Sequence, residues 1–80
     1  MMENNLKNLG IGDWGIVAGF QKGNKGYRKK LLAMGLTPGT EFNVIRYAPL
    51  GDPVEIKTRG FALTLRKNEA ESLIIKRIDR

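Results

Sequence analysis

The chain has 80 residues and contains no cysteine and no histidine. Disulfides, thiolate or imidazole metal sites, and every catalytic triad that needs Cys or His are therefore excluded. Fourteen Lys and Arg against eight Asp and Glu give a net charge of +6, a balance that suits nucleic acid, an acidic membrane surface or an acidic protein partner, and equally plain solubility. One domain with a small core is expected at this length.

The first eight residues are polar, and residues 1–9 are expected to be flexible. The opening, MMENNLKNLG, lacks the charged-then-apolar plan of a signal peptide. No apolar run approaches the ~20 residues of a membrane helix, so a soluble, cytoplasmic protein is expected. LGIGDW marks a turn before a strand. WGIVAGF then alternates, with Trp14, Ile16, Ala18 and Phe20 on one face and Gly15, Val17 and Gly19 on the other. The small residues of the second face predict close approach of another backbone, or a bend. Asn24 is a candidate N-cap for a short helix running to about Met34. On it Tyr27, Leu31 and Met34 share a face, and Arg28, Lys29 and Lys30 look outward.

Gly35 stands where a helix ends on a left-handed residue, and Leu36 is placed to fold back on the last turn. Pro38 and Gly39 follow as a type II turn. Thr40 to Tyr47 read as a strand. APLGDP supplies Pro49, Gly51 and Pro53 for a stiff, exposed connection, with Leu50 at its tip and Asp52 expected to bond its own backbone. VEIKT and FALTL form a hairpin across Arg59-Gly60. NEAE reads as one helical turn with Asn68 as cap and Glu71 at the capping-box position, and LIIKRI as a last strand. Trp14, Phe20, Phe42 and Phe61 read as core. The sum is mostly β: a small antiparallel barrel of about five strands with a short helix inserted after the first.

Little in the chain carries chemistry. No nucleophile elbow, zincin motif or Walker loop occurs. GIGDWG precedes a strand, whereas a dinucleotide loop follows one. Glu69 and Glu71, two apart, do not share a helix face. With eight scattered carboxylates, a hard-cation site is not expected. The dense stretch KGYRKK, Lys25 to Lys30, is a solvated helix face, a docking face for an acidic partner, or a phosphate-binding face with Tyr27 as a stacking ring.

The run RKKLLAMGLTPGTEFNVIRYAPLGDPVEIKTRGFALTLRKNEAESLIIK resembles the FeoA family. The resemblance rests on the basic-Leu-Leu-x-x-Gly-Leu-x-Pro-Gly-Thr stretch, the Ala-Pro-Leu-Gly-Asp-Pro loop, the hairpin at Gly60 and the LRKNEA turn, and it extends from Trp14 to Ile78. It implies an SH3-like barrel and a free-standing cytosolic accessory of a bacterial Fe(II) uptake system. The implied partner is FeoB, a membrane transporter carrying a cytoplasmic G-protein domain. The resemblance also implies no enzyme, no cofactor and no metal ligand set, contact with the membrane only through that partner, and a link to transition metal ions through transport alone. From the residues, the expected partner surface joins Tyr27, Arg28, Lys29, Lys30 and Leu32 on the helix to Leu50 and Asp52 on the loop. Arg28, Arg46 and Arg59 are the candidates for an arginine acting on a GTPase, with nothing to choose among them. Nucleic acid is not expected as a partner, but a small basic barrel binding RNA or DNA is the alternative. Self-association through exposed edge strands stays open.

Overall fold

The alternating runs become five antiparallel strands: β1 (Trp14–Phe20), β2 (Glu41–Tyr47), β3 (Val54–Thr58), β4 (Phe61–Leu65) and β5 (Leu73–Ile78). The computed structural model describes residues 6–22 and 25–79. All five strands lie in one sheet, in the order β4-β3-β2-β1-β5. Helix α1 (Lys25–Ala33) is inserted after β1, and the short helix α2 (Lys67–Glu71) joins β4 to β5. The molecule measures 29 × 27 × 26 Å. A flat sheet with one covered layer is much thinner than it is wide, so the sheet is curled around its inner face. Its end strands, β4 and β5, do not pair with each other. The expected mostly-β architecture with an early helix is the one observed.

β1 pairs with both β2 and β5 and so runs through the middle of the curl. Its core face is the one with the small residues: Gly15 and Val17 are buried. A Cβ on Gly15 would stand 2.7 Å from Cζ of Phe42 and 3.0 Å from Cδ1 of Leu9. What comes close is therefore an aromatic ring and not a backbone. The expected bend is also present, as a register shift between Val17 and Gly19 in the β1–β5 pairing. Phe42 is fully buried and meets Leu31, Leu36, Ile56, Leu65, Leu73 and Ile75 in one apolar cluster.

Helix α1 stops as its glycine predicts. Gly35 has φ +94°. Its N–H donates to the Leu32 carbonyl at 3.0 Å, and the Leu36 N–H donates to the Leu31 carbonyl at 3.0 Å, which is the paired bonding of a Schellman stop. Leu36 folds back to full burial. In the next turn Thr40 N–H donates to the Thr37 carbonyl at 3.0 Å around Pro38 and Gly39. The turn is stitched to β1: Gly39 N–H donates to the Val17 carbonyl at 2.7 Å and Val17 N–H to the Thr40 carbonyl at 2.8 Å. The β3–β4 hairpin turns on Arg59 (φ 51°) and Gly60 (φ 90°), a type I′ geometry.

Several expectations need correction. Phe61 is 47% exposed, because it pairs with Thr58 at the turn end of an edge strand, beyond the reach of the core. Trp14 and Phe20 are only half-buried. Helix α2 begins one residue before Asn68, at Lys67, with Arg66 as its cap. The capping carboxylate is that of Glu69, which accepts the Arg66 N–H at 2.9 Å, so Asn68 and Glu71 lie within the helix. Leu6 and Leu9, within the stretch 1–9, are buried. The Tyr47 hydroxyl donates toward the carbonyls of Leu6 (2.9 Å) and Leu9 (2.6 Å) and fastens them to β2. Asn24, the candidate cap of α1, lies outside the described residues.

Gly15 and Gly19 provide an internal contrast on one strand. Gly15→Ala forces a methyl into the Phe42 ring and should cost about 1–3 kcal/mol in denaturant unfolding. A Cβ on Gly19 meets nothing within 4 Å, so Gly19→Ala should leave the unfolding midpoint unchanged or slightly raised. Equal losses at the two positions would contradict the Phe42 packing.

Candidate interaction surface

Helix α1 shows the core Leu31, which is fully buried, while Arg28, Lys29 and Lys30 are exposed and Tyr27 and Leu32 half-buried. Lys30 is not free. Its ammonium pairs with the carboxylate of Glu69, whose side chain is 5% exposed. Burial works against ionisation of Glu69. The hydrogen bond from Lys30, the Arg66 amide and the charges of Lys30 and Arg66 outweigh it and hold this carboxyl below its ordinary value. One residue on, the Lys67 N–H donates to Asp52 Oδ1 at 2.9 Å. Asp52 therefore caps α2 from fifteen residues away and does not bond its own loop as expected.

The surface expected from the sequence divides into three grooves. Tyr27, Lys30 and Asp52 come together with Arg66, Lys67 and Glu69 around a groove of about 460 Å³. Arg28 and Leu32 lie on another side of α1, in a groove of about 330 Å³ shared with Phe20 and Pro38. Leu50 rims a third, of about 450 Å³, floored by Leu6, Tyr47, Val54 and Ala70, with Asp52 at its edge. Lys29 lines none of the three. Glu69, Tyr47 and Phe20 are the participants that sequence reasoning missed. The acid three residues after Arg66 is the one local signal that pointed to any of them.

Leu50 has unusual geometry. It is fully exposed and its backbone is left-handed, φ 72° and ψ 8°. The loop around it is closed by hydrogen bonds from Gly51 N–H to the Ala48 carbonyl (2.8 Å) and from Ala48 N–H to the Pro53 carbonyl (2.9 Å). Of the three arginines singled out, Arg28 lies 5.8 Å above the Phe20 ring centroid, Arg46 donates from Nε to Glu55 at 2.9 Å, and Arg59 sits in the β3–β4 turn. They occupy three separate places. Burial, and then the charge of Asp13, raise the Tyr47 hydroxyl above its ordinary pKa, so it acts as a neutral donor. Among the described residues no group of three or more His, Cys, Asp or Glu could hold a metal ion. Among the described residues no helix is long and apolar enough to cross a membrane.

A family model described as the FeoA domain matches residues 4–77. The chain belongs to the FeoA family. It is 30% identical over 73 residues to the Fe(2+) transport protein A/Fe(2+) transporter FeoB fusion protein of Porphyromonas gingivalis, an alignment covering 91% of this chain and 8% of that protein. Among solved structures it resembles a FeoA-like protein from Clostridium acetobutylicum at 31% identity and TM-score 0.87, covering 100% of this chain and 92% of that one. Stenotrophomonas maltophilia FeoA complexed with zinc, described as a procaryotic SH3 domain protein, matches at 22% identity and TM-score 0.75, over 95% of this chain and 91% of that one. That likeness shows the fold alone, which is SH3-like. The family is linked to ferrous iron transport, and in the P. gingivalis relative the FeoA part is fused to FeoB.

The Glu69 contacts have a pH signature. A carboxyl whose pKa is lowered by folding contributes stability above its unfolded value, and loses it as pH falls through the folded one. Glu69→Gln should cost about 1 kcal/mol at neutral pH, a modest figure because Lys30 is largely in solvent. That difference should vanish as pH drops below the ordinary glutamate value of 4.5. Paired denaturant melts at neutral and acid pH would check it, and a gap that persists in acid would contradict the assignment.

Proposed function

We propose that this FeoA-family chain is a cytosolic accessory of ferrous iron uptake that binds a FeoB-type transporter and works by contact, not catalysis. The observation that carries the reading is Leu50. A left-handed backbone costs a leucine about 1–2 kcal/mol, and a fully exposed side chain recovers none of it within the chain. Strain held at an exposed apolar tip is accounted for by a contact made in a complex. The fusion relative supports the identity of the partner, because there a FeoA part and FeoB travel as one polypeptide. The loop closes on itself, so little further ordering opposes binding.

The test is a titration of this chain against the purified full-length FeoB-type transporter in detergent at physiological salt, with an RNA oligonucleotide in parallel. Leu50→Asn is the decisive variant. Asparagine tolerates the left-handed region, so the variant should melt higher than the parent while binding the transporter about tenfold more weakly. Undiminished affinity in Leu50→Asn would remove Leu50 from the interface. Binding to RNA alone, falling steeply with salt, would replace the transporter reading with the nucleic-acid one.

A further inference from the structure

The groove between the end of β1 and the outer side of α1 is distinct from the Leu50 loop. Its lining includes Phe20, Gln21, Lys22, Arg28, Leu32 and Pro38, with Gly19 at the strand end, around about 330 Å³. Phe20 and Leu32 are half-buried and with Pro38 give an apolar floor. Phe20 also packs against the core, so that floor is anchored. Arg28 stands over the Phe20 ring at 5.8 Å from the centroid, which holds its charge at the groove's wall. Lys22 adds a second cation.

The charge here is one-sided. No carboxylate is among the described residues of the groove. Lys30, Arg46 and Arg77 each pair with an acid, namely Glu69, Glu55 and Asp13. Among the described residues Lys22, Arg28 and the neighbouring Lys29 have no such partner. The described acids that pair lie elsewhere, on β3, before β1 and on α2. A cationic rim around an apolar floor calls for a ligand with carboxylates flanking an apolar group. A nucleobase suits it poorly, since Arg28 already covers the one aromatic face that lines it.

We propose that this groove docks an acidic segment of a partner protein that carries one apolar side chain. The carboxylates meet Lys22 and Arg28, and the apolar side chain packs on Phe20, Leu32 and Pro38. The proposal rests on the reading that the chain works by binding a protein, and names the chemistry of a second contact, separate from Leu50.

The experiment titrates the 15N-labelled full chain with a short peptide of Asp and Glu around one Leu, with a Leu-to-Ser version, and with an oligouridylate. Amide shifts should map to Gly19, Phe20, Lys22 and Leu32, and the Leu-to-Ser peptide should bind more weakly. Lys22→Glu with Arg28→Glu should weaken the first peptide by about tenfold or more. Lys57→Glu with Lys76→Glu, the same change in net charge on exposed strand positions, should weaken it far less. Gly19→Gln places an uncharged side chain in open space and should obstruct docking while the melting temperature stays at or above the parent's. Shifts mapping elsewhere, equal losses in the two charge pairs, or tighter binding of the oligouridylate at the groove would each overturn the proposal. The same variants are titrated against the transporter. Full transporter affinity in Lys22→Glu with Arg28→Glu overturns the groove and leaves the transporter reading intact. Peptide docking in the groove without any transporter binding does the reverse.

Discussion

The buried carboxylate of Glu69 joins elements that chain order keeps far apart. It takes the Arg66 amide, which closes the first turn of α2, and the Lys30 ammonium, which fixes α1. At the next amide, Lys67 is capped by Asp52 from the proline loop. A carboxylate at 5% exposure is tolerable only when partners of this kind surround it. Helix, loop and α2 thus hold one another through a few polar contacts at the sheet's margin, while Phe42 and its apolar neighbours hold the inside. This also sorts the positive charge. Lys30 serves the fold, and Arg28 and Lys29 face outward without such a duty.

Much of the fold was legible, and for local reasons. Gly35, Pro38-Gly39 and Arg59-Gly60 each demand a backbone conformation that few other residues adopt, so their turns can be placed from the letters alone. Alternation located the strands. The errors arose where the decisive partner is distant in sequence. Asn68 has the usual residue type for a cap, yet the orphan amides of α2 are satisfied by Glu69 and by Asp52 across the fold. Leu6 and Leu9 sit among polar residues, and only the Tyr47 hydroxyl and the core draw them in. Phe61 has the alternation of a core residue but lies past the end of what the curled sheet encloses. The residues of the expected partner surface do not share one face, and sequence spacing cannot show that Arg28 and Leu32 line a different groove from Tyr27 and Lys30.

Membership of the FeoA family gives these surfaces their context. The chain spans 8% of the length of the P. gingivalis fusion protein it matches. What an 80-residue SH3-like module offers is shape. The two proposed contacts, an apolar tip on the proline loop and a cation-rimmed groove beside α1, are separate places on its surface. Two modest contacts with a common partner reinforce each other as linked sites do.

The end of α1 carries a last consequence. Leu36, which folds back on its last turn past Gly35, is a fully buried core residue, and the turn that follows is bonded into β1 on both sides. The helix therefore has no hinge at this end: to tilt it, the core must open. A switch needs an element with two arrangements of similar free energy, and the buried Leu36 and the bonds of the turn to β1 oppose a second arrangement at this end of α1. While the core stays closed, the outer face of α1 keeps its place relative to the sheet, as the edge of a ruler does.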